Sequence, residues 1–199
     1  HDFSLMQAAG VNAIRSFSTI PPRWVTYIND NYGIKTAINP LMGRYGATIG
    51  GQWVEHVDYS DELTRKTLKA EALADIQKYK DVPGVLMFAL GNEGNYGLAW
   101  KSFEIENLPT GEQQVAKAKY LYSLFAETIA AARKLDVNHP ITIVNGDVQY
   151  LNLIEQYGAD WDLLGVNAYR GTSFTGLWKD VKAGPDLPVL FFEFGSDAF

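Results

Sequence analysis

The chain has 199 residues, 47% of them hydrophobic and 20% charged, with a formal net charge of −6. That suits one globular domain with a real core. No run of Lys or Arg exists to hold a nucleic acid, no apolar stretch nears the roughly 20 residues of a membrane span, and no cysteine offers a disulfide or thiolate ligand.

Residues Asp2 to Ala9 read as the end of a helix closed by Gly10. Val11 to Phe17 reads as a strand with Arg15 near its carboxyl end. Pro21-Pro22 opens a helix over Arg23 to Tyr32, and Gly33 ends it. Ile34 to Ile38 is the next strand. Asn39 to Ser60 reads as one long loop, rich in Gly and aromatics, and a loop this long is usually functional. Ser60 is the expected cap of a helix from Asp61 to about Lys80, with Leu63, Leu68, Ala72, Leu73 and Ile76 as its apolar face.

Val85 to Leu90 is an unbroken apolar run between Pro83-Gly84 and Gly91, the pattern of a fully buried parallel strand. Asn92 and Glu93 follow at once, set among glycines. A second long loop, Gly94 to Gly111, carries Tyr96, Trp100 and Phe103. Glu112 to Leu135 is the longest helix. Ile141 to Asn145 is a strand, Tyr150 to Tyr157 a short helix, Asp162 to Tyr169 a strand and Phe174 to Val181 a helix. Pro188 to Phe192 leads into Glu193 on the last strand.

Helices separate successive strands, so the sheet should be parallel and the class α/β. A doubly wound open sheet is one solution. A (β/α)8 TIM barrel is the other, with eight strands in about 250 residues. The chain starts at a helix and ends after a strand. The economical expectation is a single partial TIM-barrel catalytic domain over residues 1–199, containing strands two to seven, with the first and eighth outside the sequence.

In a barrel, Arg15, Glu93, Asn167, Tyr169 and Glu193 all end strands at one mouth. Two carboxylates facing across a cleft suit glycoside hydrolysis, where one protonates the leaving oxygen and the other attacks the anomeric carbon. Arg15 is the available cation for one of them, and Tyr169 can donate to the same carboxylate. A carboxylate in the aromatic run around Glu193 is costly to bury unpaired. The glycines around Glu93 read as room for a sugar to approach. Aromatics are 13% of the chain, which fits core filling or a sugar-binding cleft. Tyr45, Trp53 and His56 on one loop, and Tyr96 and Trp100 on another, read as substrate subsites or as rim packing. Asp147 and Asp197 read as solvated loop acids or as contacts to sugar hydroxyls. His1, His56 and His139 lack metal-ligand spacing.

These residues carry a family resemblance that covers essentially the whole chain. Gly91-Asn92-Glu93 ending one strand and Glu193 ending another resemble clan A of the glycoside hydrolases. A-A-G-V-N-A-I-R (Ala8 to Arg15), L-G-N-E-G-N-Y-G (Leu90 to Gly97) and G-V-N-A-Y-R-G (Gly165 to Gly171) resemble glycoside hydrolase family 2, which includes β-galactosidases and β-glucuronidases. V-L-M-F-A-L-G-N-E, V-N-A-Y-R-G-T-S-F and P-V-L-F-F-E-F-G resemble, comparably, the β-1,3-glucanosyltransferases of the same clan. The resemblance implies Glu93 as general acid/base and Glu193 as nucleophile. It implies Asn92 as the residue that bonds the sugar 2-hydroxyl, and Arg15 and Tyr169 as groups that orient the nucleophile. It implies net retention, carboxyl groups about 5–5.5 Å apart and no metal or organic cofactor. The segment V-N-G-D-V-Q-Y (Val144 to Tyr150) matches no catalytic motif.

The expected activity is a retaining β-glycoside hydrolase acting on an oligo- or polysaccharide, with a transglycosylase using the same site as the alternative. A rival of another class is a carbohydrate-binding barrel fragment without turnover, since six strands leave two unpaired edges. Expected partners are a carbohydrate substrate and, from the family 2 resemblance, additional β-sandwich domains or further chain segments. A secreted or periplasmic location fits, and the sequence does not fix one.

Overall fold

The computed structural model describes residues 1–98, 105–136, 138–158 and 160–196. Helix α1 (Asp2–Ala8) leads to strand β1 (Ala13–Ser16), helix α2 (Pro22–Tyr32) and strand β2 (Lys35–Ile38). A hairpin, β3 (Ala47–Ile49) and β4 (Gln52–Val54), precedes helix α3 (Glu62–Tyr79). Strand β5 (Val85–Leu90) runs into a 3₁₀ turn, Gly94–Gly97. Helix α4 (Thr110–Ala132), strands β6 (Ile141–Ile143) and β7 (Asn145–Gly146), helix α5 (Leu151–Tyr157), strand β8 (Leu164–Tyr169), helix α6 (Thr175–Lys182) and strand β9 (Val189–Gly195) complete the order.

Two parallel sheets hold the strands, in the orders β1-β2-β5-β6 and β7-β8-β9. Only Val144 separates β6 from β7, so the two sheets meet in one extended segment. Its amide donates to the Leu90 carbonyl at 3.1 Å and its carbonyl accepts from the Glu93 amide at 2.8 Å. The parallel array thus has six strand positions among the described residues, in sequence order.

The array is curved. Flat, six strands spaced by about 4.8 Å would hold the first and last about 24 Å apart, far beyond the combined reach of one arginine and one glutamate. Arg15 on β1 nevertheless bonds Glu193 on β9 at 2.9 Å. On the outer side, Phe88, Leu90, Ile141, Ile143, Leu164 and Val166 are buried in one cluster with Leu68, Ala72 and Ile76 of α3 and Leu121, Phe125 and Ile129 of α4. Burying each such side chain stabilises the fold by about 1.5–3 kcal/mol.

A bulge on β9 aims its inner residues. Val166 pairs with Phe191 and Asn167 with Glu193, so Phe192 has no partner of its own. The extra residue interrupts alternation. Glu193 thereby shares a face with Asn167, and Phe192 lies on that side too, its ring against Gly165 and 5.5 Å from the Arg15 guanidinium.

Several expectations change. The segment from Asn39 to Ser60 is not one loop, because Gly50 and Gly51, both at positive φ, turn a two-stranded hairpin. Helix α3 is capped by Asp61 rather than Ser60: its carboxylate accepts the Thr64 amide at 2.7 Å. Leu63 faces outward at 52% exposure, and the buried face is Thr64, Leu68, Ala72, Ile76 and Tyr79. The strands among the described residues form two parallel sheets and this hairpin, an α/β arrangement.

Gly165 makes the inner packing possible. A Cβ there would stand 2.1 Å from the Ile143 carbonyl oxygen and 2.7 Å from the Phe192 ring. Gly165→Ala should cost about 2 kcal/mol or more and lower Tm by roughly 4–8 °C. A thermal melt unchanged from the parent would contradict this close approach.

Candidate active site

Asn39, fully buried just past β2, fixes the first layer of the site. Its amide nitrogen donates to the carbonyls of Ala89 and Gly91, both at 2.7 Å, strapping the end of β2 to the end of β5. Its Oδ1 then accepts Arg15 Nε at 2.8 Å. The rest of the guanidinium fork is used as well. Nη1 donates to Glu193 Oε1 at 2.9 Å and Nη2 to Asn92 Oδ1 at 2.6 Å. The planar, always-charged fork sets all three directions at once. Phe17 lies 5.2 Å from its centre.

Glu93 occupies the left-handed region, φ 50 and ψ 37. A non-glycine residue there stores about 1–3 kcal/mol of strain, held by the bond from its amide to Val144 and by the Tyr96 amide donating to its carbonyl at 2.9 Å. Its side chain is 18% exposed. Asn167 Nδ2 donates to Glu93 Oε1 and to Asn92 Oδ1, both at 3.1 Å. Asn167 Oδ1 is buried without a partner. Arg44 Nη2 approaches Glu93 Oε2 only to 3.8 Å.

The surrounding glycines do not open space for a sugar. A Cβ on Gly91 would meet the Phe125 ring at 3.1 Å, one on Gly94 would touch Leu121 at 3.4 Å, and one on Gly97 would touch Arg44 at 3.4 Å. They let α4 and Arg44 pack close to the turn that carries Glu93.

Of the other residues singled out in the sequence, Tyr169 donates its hydroxyl to Glu193 Oε2 at 3.1 Å, and that bond, with some burial and the Glu193 and Glu93 charges, raises the phenol pKa. Tyr45 accepts from Asn92 Nδ2 at 2.9 Å. Tyr96 packs on Gly146, and burial together with the charges of Asp147 and Glu93 raises its pKa. Trp53 stands on β4, 66% exposed, against the bare backbone of Gly46. Trp100, Phe103 and Asp197 lie outside the described residues. Asn39, Arg44 and Phe17 were not singled out. An amide at the end of an apolar strand was the available signal for Asn39.

Asp147 is not a solvated loop acid. Arg170 binds it in bidentate fashion at 2.6 and 2.7 Å. Burial pushes its carboxyl upward, but the Arg170 bonds, the Val148 amide and the Arg170 charge outweigh that and hold it below the ordinary aspartate value. Asn145 braces this turn, donating to the Asp147 carbonyl at 2.7 Å while accepting the Tyr122 hydroxyl at 2.6 Å. Among the described residues no group of three His, Cys, Asp or Glu side chains could hold a metal ion, and no helix is long and apolar enough to cross a membrane.

No protein-family model matches the sequence, and no curated protein matches it either. Solved structures do. A β-glucuronidase from an uncultured Clostridium sp. aligns with a TM-score of 0.66 and 19% identity, over 100% of this chain and 32% of its own. The Bifidobacterium dentium β-glucuronidase complexed with coumarin-3-O-glucuronide gives 0.64 and 18%, over 100% and 30%. A β-galactosidase from the Antarctic haloarchaeon Halorubrum lacusprofundi gives 0.56 and 13%, over 85% and 37%. The fold is glycoside hydrolase-like. This chain spans about a third of the length of those proteins, and the likeness at such identity concerns the fold alone.

The Asp147–Arg170 pair makes a pH prediction. A carboxyl depressed in the folded state contributes stability that is present above its unfolded value, near pH 3.8, and is lost as pH falls through the folded value. Asp147→Asn should therefore lower Tm at pH 6 and shrink the Tm loss between pH 6 and pH about 3. An identical acid-side slope in parent and variant would rule the pair out as a contributor.

Proposed function

We propose that the chain is the carboxylate-bearing part of a retaining β-glycoside hydrolase, with its six parallel strand positions forming strands two to seven of a (β/α)8 barrel. The curvature that lets Arg15 reach Glu193 supports the barrel. One observation carries the chemistry. Asn92 Oδ1 accepts from Arg15, whose other terminal nitrogen holds Glu193, and from Asn167, whose amide also holds Glu93, so one asparagine joins the groups that hold two acids from distant strands.

The two acids have different surroundings. Both Glu193 oxygens serve as acceptors, one for a guanidinium and one for a phenol, which is how an attacking carboxylate is held in line. Glu93 has Oε1 taken by the Asn167 amide, whereas Arg44 stops short of Oε2. Among the described residues Oε2 has only the long Arg44 ion pair at 3.8 Å and no hydrogen bond, which leaves it open to a substrate oxygen. In the first step Glu193 attacks the anomeric carbon while Glu93 gives its proton to the departing glycosidic oxygen. A covalent glycosyl ester on Glu193 results. In the second step a water gives its proton to Glu93 as it attacks the same carbon, and Glu193 leaves. Two inversions give net retention. Asn92 has one Nδ2 hydrogen left for a sugar hydroxyl, since an amide donates two and Tyr45 takes one.

The assignment separates in a rescue experiment with an aryl β-glucuronide and an aryl β-galactoside, the substrate classes named by the similar structures. Glu193→Ala should lower kcat by about 10⁴-fold or more, and azide should return turnover as a glycosyl azide of inverted configuration. Wild-type turnover by that variant would sink the nucleophile role. Glu93→Ala should instead give, with azide, a glycosyl azide of retained configuration, because azide then intercepts the Glu193 ester. An inverted product there would assign the two acids the other way round.

A further inference from the structure

An exposed aromatic ridge leads away from the two acids. Phe17 follows β1, and its ring centre lies 6.0 Å from that of Tyr45, which follows β2. Beyond Tyr45, Trp53 rests on Gly46: a Cβ at Gly46 would stand 2.5 Å from the indole Cζ2. The three rings are 50%, 48% and 66% exposed. Phe17 and Tyr45 adjoin, and Trp53 packs on the residue that follows Tyr45, so the exposed rings are grouped rather than scattered singly.

Its inner end belongs to the site. Phe17 lies under the Arg15 guanidinium that holds Glu193, and the Tyr45 hydroxyl takes the Asn92 amide. Its outer end is fixed by a hairpin, with Trp53 paired across to Thr48. Arg44 covers part of Tyr45 at 5.1 Å from its ring centre. The rings are therefore ordered before any ligand arrives, which lowers the cost of binding. Exposed aromatic rings beside the two acids, Phe17 and Tyr45 tilted by 46° to each other, can take the apolar faces of pyranose rings.

We infer that Phe17, Tyr45 and Trp53 form a stacking platform for sugar units beyond the reacting one, and that the substrate is a chain of hexopyranoses rather than a simple glycoside. The inference rests on the glycosidase reading for the place of the reacting sugar. Its test does not depend on turnover. In a Glu93→Gln background of the full protein, the probes are the hexasaccharides of β-1,3-glucose, β-1,4-glucose and β-1,4-galactose, each beside its disaccharide, with binding read by calorimetry. At least one hexasaccharide should bind more tightly than its disaccharide. Trp53→Ala should remove about tenfold of that affinity, and Trp53→Phe should restore most of it.

A second readout needs no substitution on the ridge. The bound hexasaccharide should protect Trp53 from oxidation by N-bromosuccinimide, located by peptide mass. Equal hexasaccharide affinity with and without the indole, or an unprotected Trp53 at saturation, would overturn the platform. The azide experiment judges the two acids separately. Trp53-dependent binding with failed rescue would leave the platform standing without the carboxylate assignment, and the converse result would remove only the platform.

Discussion

The site depends on how one guanidinium is shared. Arg15 bonds Asn39, Asn92 and Glu193, and those residues come from the ends of β2, β5 and β9. A charged group with rigid donor directions can hold three acceptors in fixed relation, which a lysine on its flexible stem cannot. The arginine itself is directed from below, because Asn39 is already locked to two β5 carbonyls. The order of dependence runs from backbone carbonyl to amide, from amide to guanidinium, and from guanidinium to carboxylate. The same contact spans from the first strand of the curved array to the last, so the geometry of the acids and the curvature of the sheets are one constraint.

Much of this architecture was legible because it obeys simple periods. The bounds of the strand Val85–Leu90 show in the sequence as an apolar run with glycines at both ends, although Leu86 is 40% exposed where the run reads as fully buried. The strand-end polar groups were legible for the same reason: Arg15, Glu93, Asn167, Tyr169 and Glu193 interrupt apolar surroundings where packing alone would not place them. The structure brings all five together with Asn92. What they do there is a proposal, but their meeting is not.

The parts that were missed depend on contacts distant in sequence. The hairpin has a local signal in Gly50-Gly51, yet the flanking strands are only three residues each, too short for a period of two to stand out. The glycines near Glu93 carry no local sign of their packing, because the Phe125, Leu121 and Arg44 atoms that crowd them come from elsewhere in the chain. The pairing of Asp147 with Arg170 spans two strand ends and leaves no local signature. The bulge at Phe192 is equally silent. Only the register against β8 shows that two successive inner residues, rather than alternate ones, meet Arg15 and Gly165.

The backbone of Glu93 sits where glycine is the least strained choice and where asparagine and aspartate outrank glutamate. A sequence chosen for folding alone would put a smaller residue at that turn. Under the proposed role of Glu93, fold and chemistry pull this position in opposite directions, and the long carboxylate side chain is the outcome in which stability yields. The strained turn also follows β5, buried at every position but Leu86, where neighbouring packing resists its relaxation. Robustness in the rest of the domain is what allows so unfavourable a residue to persist at its mouth.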